Sequence, residues 1–295
     1  MKPSQAHESR PPREEPTDSV YGLRAGLAVF ARRRADILRV AYGAETRQAT
    51  TDLIQWATAQ QLPCREMDDQ DLATVADSDH HEGLCVITRP RRWTPPSELA
   101  EILVRDRGVA IALDRVRNPY NIGAILRSAA FFGVDAALLG APAPHPALAP
   151  GAVRVAEGGA EHLMLTRTTD LVDTLGRLRA RGVRVVGAES DATASAIGFA
   201  FERPTVLVLG NEREGLSPRV RAVCDALVAI PGSGAVESLN VSIAASLLVA
   251  ELVRDALLQR GIAPPSQTTP RAQRAPDASR PLHPPHDRRP RPGRR

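Results

Sequence analysis

The amino-acid sequence predicts an α/β protein whose main sheet is largely parallel. From about residue 98 onward, short apolar runs alternate with stretches of helical length and periodicity, which is typical of a parallel sheet covered by helices. Hydrophobic residues make up 43% of the 295-residue chain, which is enough for a sizeable core. A second, shorter alternation over residues 20–88 predicts a small α/β domain in front of the main one.

Composition marks the boundaries between these domains. The first segment is polar and proline-rich, the joining segment contains Pro90, Pro95 and Pro96, and the last 35 residues hold eight arginines and nine prolines. The predicted segments are a disordered N-terminal segment (1–19), the small domain (20–88), a linker (89–104), the main domain (105–260) and a disordered basic tail (261–295).

Apolar runs and amphipathic stretches predict the individual elements. In the small domain we expect strands at 37–42, 64–67 and 83–88, and helices at 26–34, 50–61 and 69–76. In the main domain we expect strands at 109–113, 134–139, 162–165, 183–188, 205–209 and 226–230, and helices at 122–132, 169–181, 218–223 and 238–258. The last of these helices is apolar on nearly all its faces, which is typical of a core helix or a subunit interface.

Charge and composition exclude several classes of function. The tail contributes +6 to a formal net charge of +4, so the rest of the chain carries about −2 and the high pI does not indicate a basic surface. Aromatic residues are only 3%, too few for reading single-stranded RNA mainly by stacking. Three separated cysteines (Cys64, Cys85, Cys224) predict buried thiols in a reducing cytosol rather than metal ligands.

Two further features concern location and histidines. No apolar run reaches about 18 residues and no signal-peptide core stands at the N-terminus, so we expect a cytoplasmic protein without a membrane span. His80 and His81 precede the strand at 83–88 without further ligands at metal-binding spacing. A phosphate contact and a purely structural role are the two interpretations left open for them.

The first stretch with a chemical signature is D-R-V-R-N-P-Y-N-I-G-A-I-L-R-S-A-A-F-F-G, at 114–133. We expect Asn121 to cap a helix that Gly133 closes in the left-handed conformation. Arg127 lies off the buried stripe, one turn after Gly123, and is expected to extend over that glycine toward the helix N-terminus. An arginine there suits a phosphate, and an ordinary surface arginine is the alternative.

The second stretch, L-G-N-E-R-E-G-L-S-P-R-V at 209–220, follows an apolar strand. Gly210 is expected to let the backbone approach a ligand closely. Asn211 and Glu212 then stand at the carboxyl end of a strand, where open α/β sheets bind their ligands. Ser217 and Pro218 suit the N-cap and first position of the next helix.

The third stretch is I-P-G-S-G-A-V-E-S-L-N-V-S-I-A-A-S, at 230–246. A loop with two glycines leads into the apolar last helix, for which Ser238 is the expected N-cap. Asn240 in the first turn indicates either a site or a buried amide that satisfies a loop carbonyl. All three loops follow strand ends and are expected to converge on one pocket, and the hallmarks of dinucleotide, NTP and hydrolase sites are missing.

In order and spacing, the three stretches resemble the motifs of the SPOUT superfamily, TrmH/SpoU class, over about residues 105–258. Members of this class are S-adenosylmethionine-dependent RNA 2′-O-ribose methyltransferases. The small domain, opening on V-Y-G and ending near H-H-E-G-L-C-V, resembles the substrate-binding domain often placed before them. The resemblance implies rRNA or tRNA as the partner and a homodimer. It also implies a SPOUT-type fold with a C-terminal deep trefoil knot, in which the last helix passes under the cofactor loops.

By motif position, the resemblance also implies the site residues. Those expected at the reaction centre are Asn121, Arg127, Glu212, Ser238 and Asn240, and those expected to contact S-adenosyl-L-methionine are Gly210, Ile230 and Leu239. Because an arginine is almost always protonated, it is a poor base, so we expect it to bind the adjoining phosphate and orient the 2′-hydroxyl. The role of Glu212 stays open. The chain departs from the pattern at Gly232, where methionine is common.

The main alternative is a catalytically inactive RNA-binding protein that retains the SPOUT fold. A base methyltransferase, or a dehydrogenase on a generic α/β sheet, ranks below it. The complete set of five expected reaction-centre residues favours the enzyme.

Overall fold

The computed structural model describes residues 16–140 and 148–260 of the chain. The predicted basic tail and most of the predicted disordered N-terminal segment lie outside these described residues. Within them, no helix combines the length and the apolar character that crossing a membrane requires.

A four-stranded sheet forms the centre of the small domain. Its strands are β1 (Asp18–Tyr21), β2 (Ile37–Tyr42), β3 (Cys64–Glu66) and β4 (Leu84–Thr88), and its helices are α1 (Leu23–Arg33), α2 (Thr51–Ala59) and α3 (Asp69–Ala76). The strands lie in the order β1-β4-β2-β3, and only the β2–β3 pair is parallel. Buried side chains of α1, α2 and the sheet form one core, and those of α3 pack against the sheet in a second.

Two predicted boundaries of the small domain are wrong. Strand β1 begins at Asp18, inside the segment predicted to be disordered to residue 19, and its pairing with β4 orders it. Helix α4 (Pro96–Asp106) begins inside the predicted linker. Pro96 occupies the first turn of this helix, where its missing N–H costs nothing and its fixed φ suits the helix, so the proline pair marks a helix start as well as a loop.

The main domain contains a parallel sheet, as predicted, with seven strands where six were expected, since the short strand Ala194–Ser195 was not predicted. Its strands are β5 (Val109–Asp114), β6 (Ala136–Gly140), β7 (Met164–Thr168), β8 (Arg184–Ala188), β9 (Ala194–Ser195), β10 (Thr205–Leu209) and β11 (Ala226–Ala229). They lie in the order β7-β6-β5-β10-β8-β11-β9, and every neighbouring pair is parallel. Every residue of β5, β6 and β10 is buried, which is why their sequences read as continuous apolar runs.

Helices cover both faces of this sheet and create two hydrophobic cores. The remaining helices are α5 (Pro119–Phe132), α6 (Pro150–Val155), α7 (Leu171–Ala180), α8 (Pro218–Val223), α9 (Val241–Leu252) and α10 (Arg254–Arg260). Apolar side chains of α5 and α9 share one core with the sheet, and those of α4, α7 and α8 share the other. Two loop regions that the sequence singles out, before α5 and before α9, therefore lead to the same face.

The last predicted helix, 238–258, is divided and shorter at its start. Helix α9 begins at Val241, because the side chain of Asn240 accepts a hydrogen bond from the backbone N–H of Ser242 and caps it. Ser238 is not the cap. At Val253 the backbone leaves the helical region (φ −111°, ψ 9°), and α10 follows. Serine and asparagine cap helices equally well, so propensity alone does not choose between positions 238 and 240.

The small domain is attached to the main domain through a carboxylate. Glu161, whose side chain is 2% exposed, receives Arg33 of α1 at 2.9 Å (Nε to Oε2) and Arg91 of the joining segment. Arg91 also donates to the carbonyl of Ala160 at 3.0 Å, and Arg89 donates to the carbonyl of Ala35 at 2.9 Å. These two arginines of the predicted linker are thus engaged in structural contacts.

Candidate active site

The three stretches meet at one edge of the parallel sheet. Strands β5 and β10 are neighbours, and β11 lies two places from β10. Since the strands are parallel, the loops after their carboxyl ends emerge on the same side, as in other open α/β sheets that bind ligands there.

Three side chains from these loops form a connected polar cluster. The amide Nδ2 of Asn121 donates to Oε1 of Glu212 at 2.6 Å, and the amide Nδ2 of Asn240 donates to Oδ1 of Asn121 at 3.3 Å. The sequence separations are 91 and 119 residues, so only the fold brings the three together. We call Asn121, Glu212 and Asn240 the amide–carboxylate cluster.

Asn121 is free to join this cluster because another asparagine caps its helix. Asn118 is the N-cap of α5, with its Oδ1 accepting from the backbone N–H of Tyr120 at 2.9 Å, and Pro119 occupies the first turn. The prediction that Asn121 caps α5 is therefore wrong by three residues. The other end follows the prediction, since Gly133 closes the helix in the left-handed region at φ 80°.

A tight loop presents Glu212. The backbone groups of Asn211 and Gly215 bond to each other at 2.9 and 3.0 Å, and the Asn211 amide donates to the carbonyl of Arg115 at 3.1 Å. Gly210 is required for this closure, because a Cβ there would lie 2.3 Å from the carbonyl carbon of Gly215. Gly210 thus allows the backbone of its own loop to approach closely. The sequence had suggested that a ligand makes this close approach.

The loop 231–239, before α9, is open. Within the described residues none of its backbone groups bonds to another backbone group, and the one side-chain contact is from the N–H of Ala235 to Oγ of Ser233 at 3.4 Å. Ser238 and Leu239 are exposed, as is Val236, while Ile230 is half-buried against the core. Free backbone donors and acceptors beside apolar side chains suit a ligand with an apolar ring and a few polar edges.

Arg127 does not reach the amide–carboxylate cluster through its own contacts. Its Nη1 lies 2.9 Å from Oε1 of Glu157, on the segment after α6, and its side chain is 51% exposed. The predicted path over Gly123 is closed, because α6 packs there: a Cβ on Gly123 would lie 2.5 Å from the carbonyl oxygen of Ala152. The structure therefore brings Asn121, Glu212 and Asn240 together, leaves Ser238 exposed on the loop 231–239, and gives Arg127 a different partner.

Large apolar side chains are exposed on α5 and α9. Phe131 of α5 is 81% exposed, and Ile243 and Leu247 of α9 are 54% and 44% exposed. Ile243 and Leu247 are one helical turn apart and thus lie on one face. An apolar face of this kind on a helix indicates a surface that another molecule covers.

Sequence reasoning missed four charged residues near these elements. Arg117 and Arg213 are exposed on the loops after β5 and β10, and neither forms a salt bridge within the part of the chain that the structure describes. Glu157 and Arg24 form an ion pair of 2.6 Å that joins the two domains. Arg117 and Arg213 could have been proposed from the sequence, because each lies within one of the three stretches. No local sequence pattern distinguishes Glu157 or Arg24.

The histidines and cysteines have structural surroundings. His81 is buried and its Nδ1 accepts from the backbone N–H of Gly83 at 3.2 Å, beside a cleft of about 580 Å³ that four carboxylates of the small domain and Arg154 of α6 line. That acidic lining opposes a phosphate contact. Burial raises the pKa of the Cys224 thiol to about 11, and burial also raises the pKa of Cys85. Among the described residues, no group of three or more potential ligands could hold a metal ion.

Comparison with known proteins gives consistent matches for both domains. Residues 108–250 match the model of the SpoU rRNA Methylase family, and residues 19–94 match that of RNA 2′-O ribose methyltransferase substrate binding. A protein described as an uncharacterized tRNA/rRNA methyltransferase, from Mycobacterium ulcerans, is 33% identical over 264 residues, covering 86% of this chain and 83% of the relative.

Two solved structures share the fold over most of their length. An rRNA methyltransferase from Sinorhizobium meliloti has a TM-score of 0.68 at 25% identity, covering 82% of this chain and 88% of that one. The SpoU methyltransferase AviRb from Streptomyces viridochromogenes, in complex with AdoMet, also has a TM-score of 0.68, at 24% identity and with 81% and 90% covered. Fold and matches together define an RNA methyltransferase. The chain belongs to the SpoU rRNA methylase family.

Proposed function

We propose that this protein transfers the methyl group of S-adenosyl-L-methionine to a ribose 2′-hydroxyl of rRNA or tRNA. The amide–carboxylate cluster carries the proposal, because it places a carboxylate and two amides beside the open loop 231–239 at the ligand-binding edge of the sheet. The match of residues 19–94 to a substrate-binding model for RNA 2′-O-ribose methyltransferases supports the ribose as the target. The crystallisation of AviRb with AdoMet supports the cofactor.

The residues around loop 231–239 fit this cofactor. The adenosine of this cofactor needs apolar contacts and a few backbone hydrogen bonds. Among the described residues, the backbone groups of the loop beside Val236 and Leu239 have no backbone partner. Gly210, Ile230 and Leu239 are the residues that would hold it. When bound, the cofactor supplies a methyl group on a positively charged sulfur.

The side chains of this chain supply position and charge for the hydroxyl. A ribose hydroxyl is a weak nucleophile at neutral pH, so its proton must be accepted as the new bond forms. Glu212 holds the Asn121 amide with Oε1, and its other oxygen has no side-chain partner within the described residues, so it is free to take that proton. Asn121 and Asn240 hold the geometry, and Arg127 binds the phosphate next to the target ribose.

We also propose a homodimer and a knotted C-terminal region. The exposed apolar side chains Phe131, Ile243 and Leu247 support a second copy of the chain as the covering molecule, since they lie on α5 and α9, two helices that share one core. The resemblance to the SPOUT motifs supports the trefoil knot. Light scattering should give twice the chain mass, and Ile243→Asp should give the monomer mass.

Ribose-methylation mapping tests the reaction. We expect one or a few 2′-O-methyl nucleotides in rRNA or tRNA to be lost in cells that lack the gene and restored by the purified protein with S-adenosyl-L-methionine. A methyl group found on a base would replace the ribose assignment. RNA binding without any methyl transfer would favour the inactive RNA-binding alternative.

A further inference from the structure

Glu157 lies between an arginine of each domain. Its Oε1 is 2.9 Å from Nη1 of Arg127 on α5, and its Oε2 is 2.6 Å from Nη1 of Arg24 on α1 of the small domain. One carboxylate thus connects a helix of the small domain to the arginine that is expected to bind the substrate phosphate.

The backbone around Glu157 is fixed by close packing on both sides. A Cβ on Gly158 would lie 2.6 Å from Cβ of Ala28 in α1, and a Cβ on Gly159 would lie 2.9 Å from Cα of Arg127 in α5. Both glycines are therefore needed for the two helices to approach this segment. The buried pairs of Glu161 with Arg33 and Arg91 hold the same segment a few residues further on.

The backbone of Glu157 is itself strained. Its φ is 45°, in the left-handed region where a residue with a side chain is uncommon and costs roughly 1 kcal/mol or more. Glycine or asparagine would be more favourable there. The carboxylate at this strained position contacts both arginines. Strained residues cluster at functional sites, which indicates a use for this side chain beyond packing.

We propose that Glu157 is a positioning residue for Arg127, and that Arg24 fixes Glu157, so the docked small domain orients the arginine that meets the substrate phosphate. This inference rests on the proposed function. An arginine has five N–H donors, so Arg127 can be held by Glu157 through Nη1 and still present other donors to a phosphate. Without the carboxylate, the exposed side chain samples several rotamers and is oriented only after RNA binds.

Single-turnover methylation of RNA from cells lacking the gene, with labelled S-adenosyl-L-methionine and the full chain, tests this inference. Glu157→Ala should lower the rate at saturating RNA about tenfold, and Arg24→Ala about threefold, with the half-saturating RNA concentration changed less than about twofold. Glu157→Gln, which keeps the shape and an acceptor oxygen, should recover part of the rate.

Arg32→Ala is the matched control. Arg32 is also exposed on α1 and also contacts the main domain, with its Nη2 2.7 Å from Nδ1 of His162. It does not contact Glu157. This variant should keep the unmodified rate within about twofold. The double variant Arg24→Ala/Glu157→Ala should be no slower than Glu157→Ala alone, because Arg24 acts through Glu157.

Three outcomes overturn the inference. They are an unchanged saturating rate in Glu157→Ala, effects of Arg24 and Glu157 that multiply in the double variant, and effects confined to the half-saturating RNA concentration. The last result would make Arg24 a plain RNA contact. If the unmodified chain transfers no methyl group to any RNA, the proposed function fails and this inference fails with it. If the unmodified chain is active and the variants keep its rate, only this inference fails.

Discussion

Helix α5 presents two polar side chains to two different parts of the molecule. Asn121, in its first turn, joins Glu212 and Asn240 of the main domain, whereas Arg127, six residues later, pairs with Glu157 next to the small domain. Six residues turn an α-helix by about 240° beyond one full turn, so the two side chains lie on different faces. The side-chain contacts of Asn121 all lie within the main domain. The partner of Arg127, Glu157, also contacts Arg24 of the small domain.

This difference separates two tasks of the proposed reaction. The amide–carboxylate cluster is held by side chains that bond to each other, so it is organised before RNA arrives. Arg127 is half-exposed, and its partner Glu157 is in turn paired with Arg24 of the small domain. Changes on the two faces of α5 should therefore have different effects on rate and on stability.

The largest effect is expected on the Arg127 face. Arg127→Ala should lower methyl transfer about a thousandfold, because the charge next to the substrate phosphate is lost, while folding and cofactor binding persist. Single-turnover transfer of labelled methyl groups and titration calorimetry with the cofactor measure the two properties. Arg177→Ala is the control, since Arg177 is an exposed helical arginine that pairs with Asp173 at 2.8 Å. A near-normal rate in Arg127→Ala would remove this residue from the reaction.

The second prediction concerns Asn240 on the other face. Asn240→Ala should lower turnover about a hundredfold, equivalent to about 2.7 kcal/mol of transition-state stabilisation, and should lose roughly 1 kcal/mol of stability with the cap of α9. Asn240→Ser separates these effects, because serine caps a helix as well as asparagine but has no amide to reach Asn121. We expect Asn240→Ser to melt normally and remain slow. Normal turnover in this variant would show that Asn240 only caps α9 and has no role in the reaction.

The smallest effect is expected at Gly123, one turn before Arg127, where α6 packs on α5. Gly123→Ala should destabilise the protein by roughly 1–3 kcal/mol, because its Cβ would meet the carbonyl oxygen of Ala152 and the side chain of Val155. Thermal unfolding measures this change. Gly176→Ala is the matched control inside helix α7, where no described residue would lie within 4 Å of the added Cβ, and it should raise stability by up to about 1 kcal/mol. Equal melting temperatures for the two variants would contradict the close packing at Gly123.

The elements of the main domain could largely be predicted from the sequence. Strands such as β5 and β10 are continuous apolar runs because both of their faces are buried, and that pattern is visible without a structure. The start of α9 could not be predicted in this way. Ser238 and Asn240 are equally good caps, and only the packing of the loop decides between them. The same applies to Asn118 and Asn121 at the start of α5.

The sequence by itself determined the parallel α/β architecture, the three loops at strand ends and the five residues offered as a reaction centre, because each depends on periodicity or on a motif within a few residues. Only the tertiary structure decided which of these side chains touch. Asn121 meets Glu212 and Asn240 across 91 and 119 residues, and Arg127 meets Glu157, which no local pattern marks. Such contacts depend on how helices pack on the sheet and how the small domain docks, and short-range propensities carry no information about either.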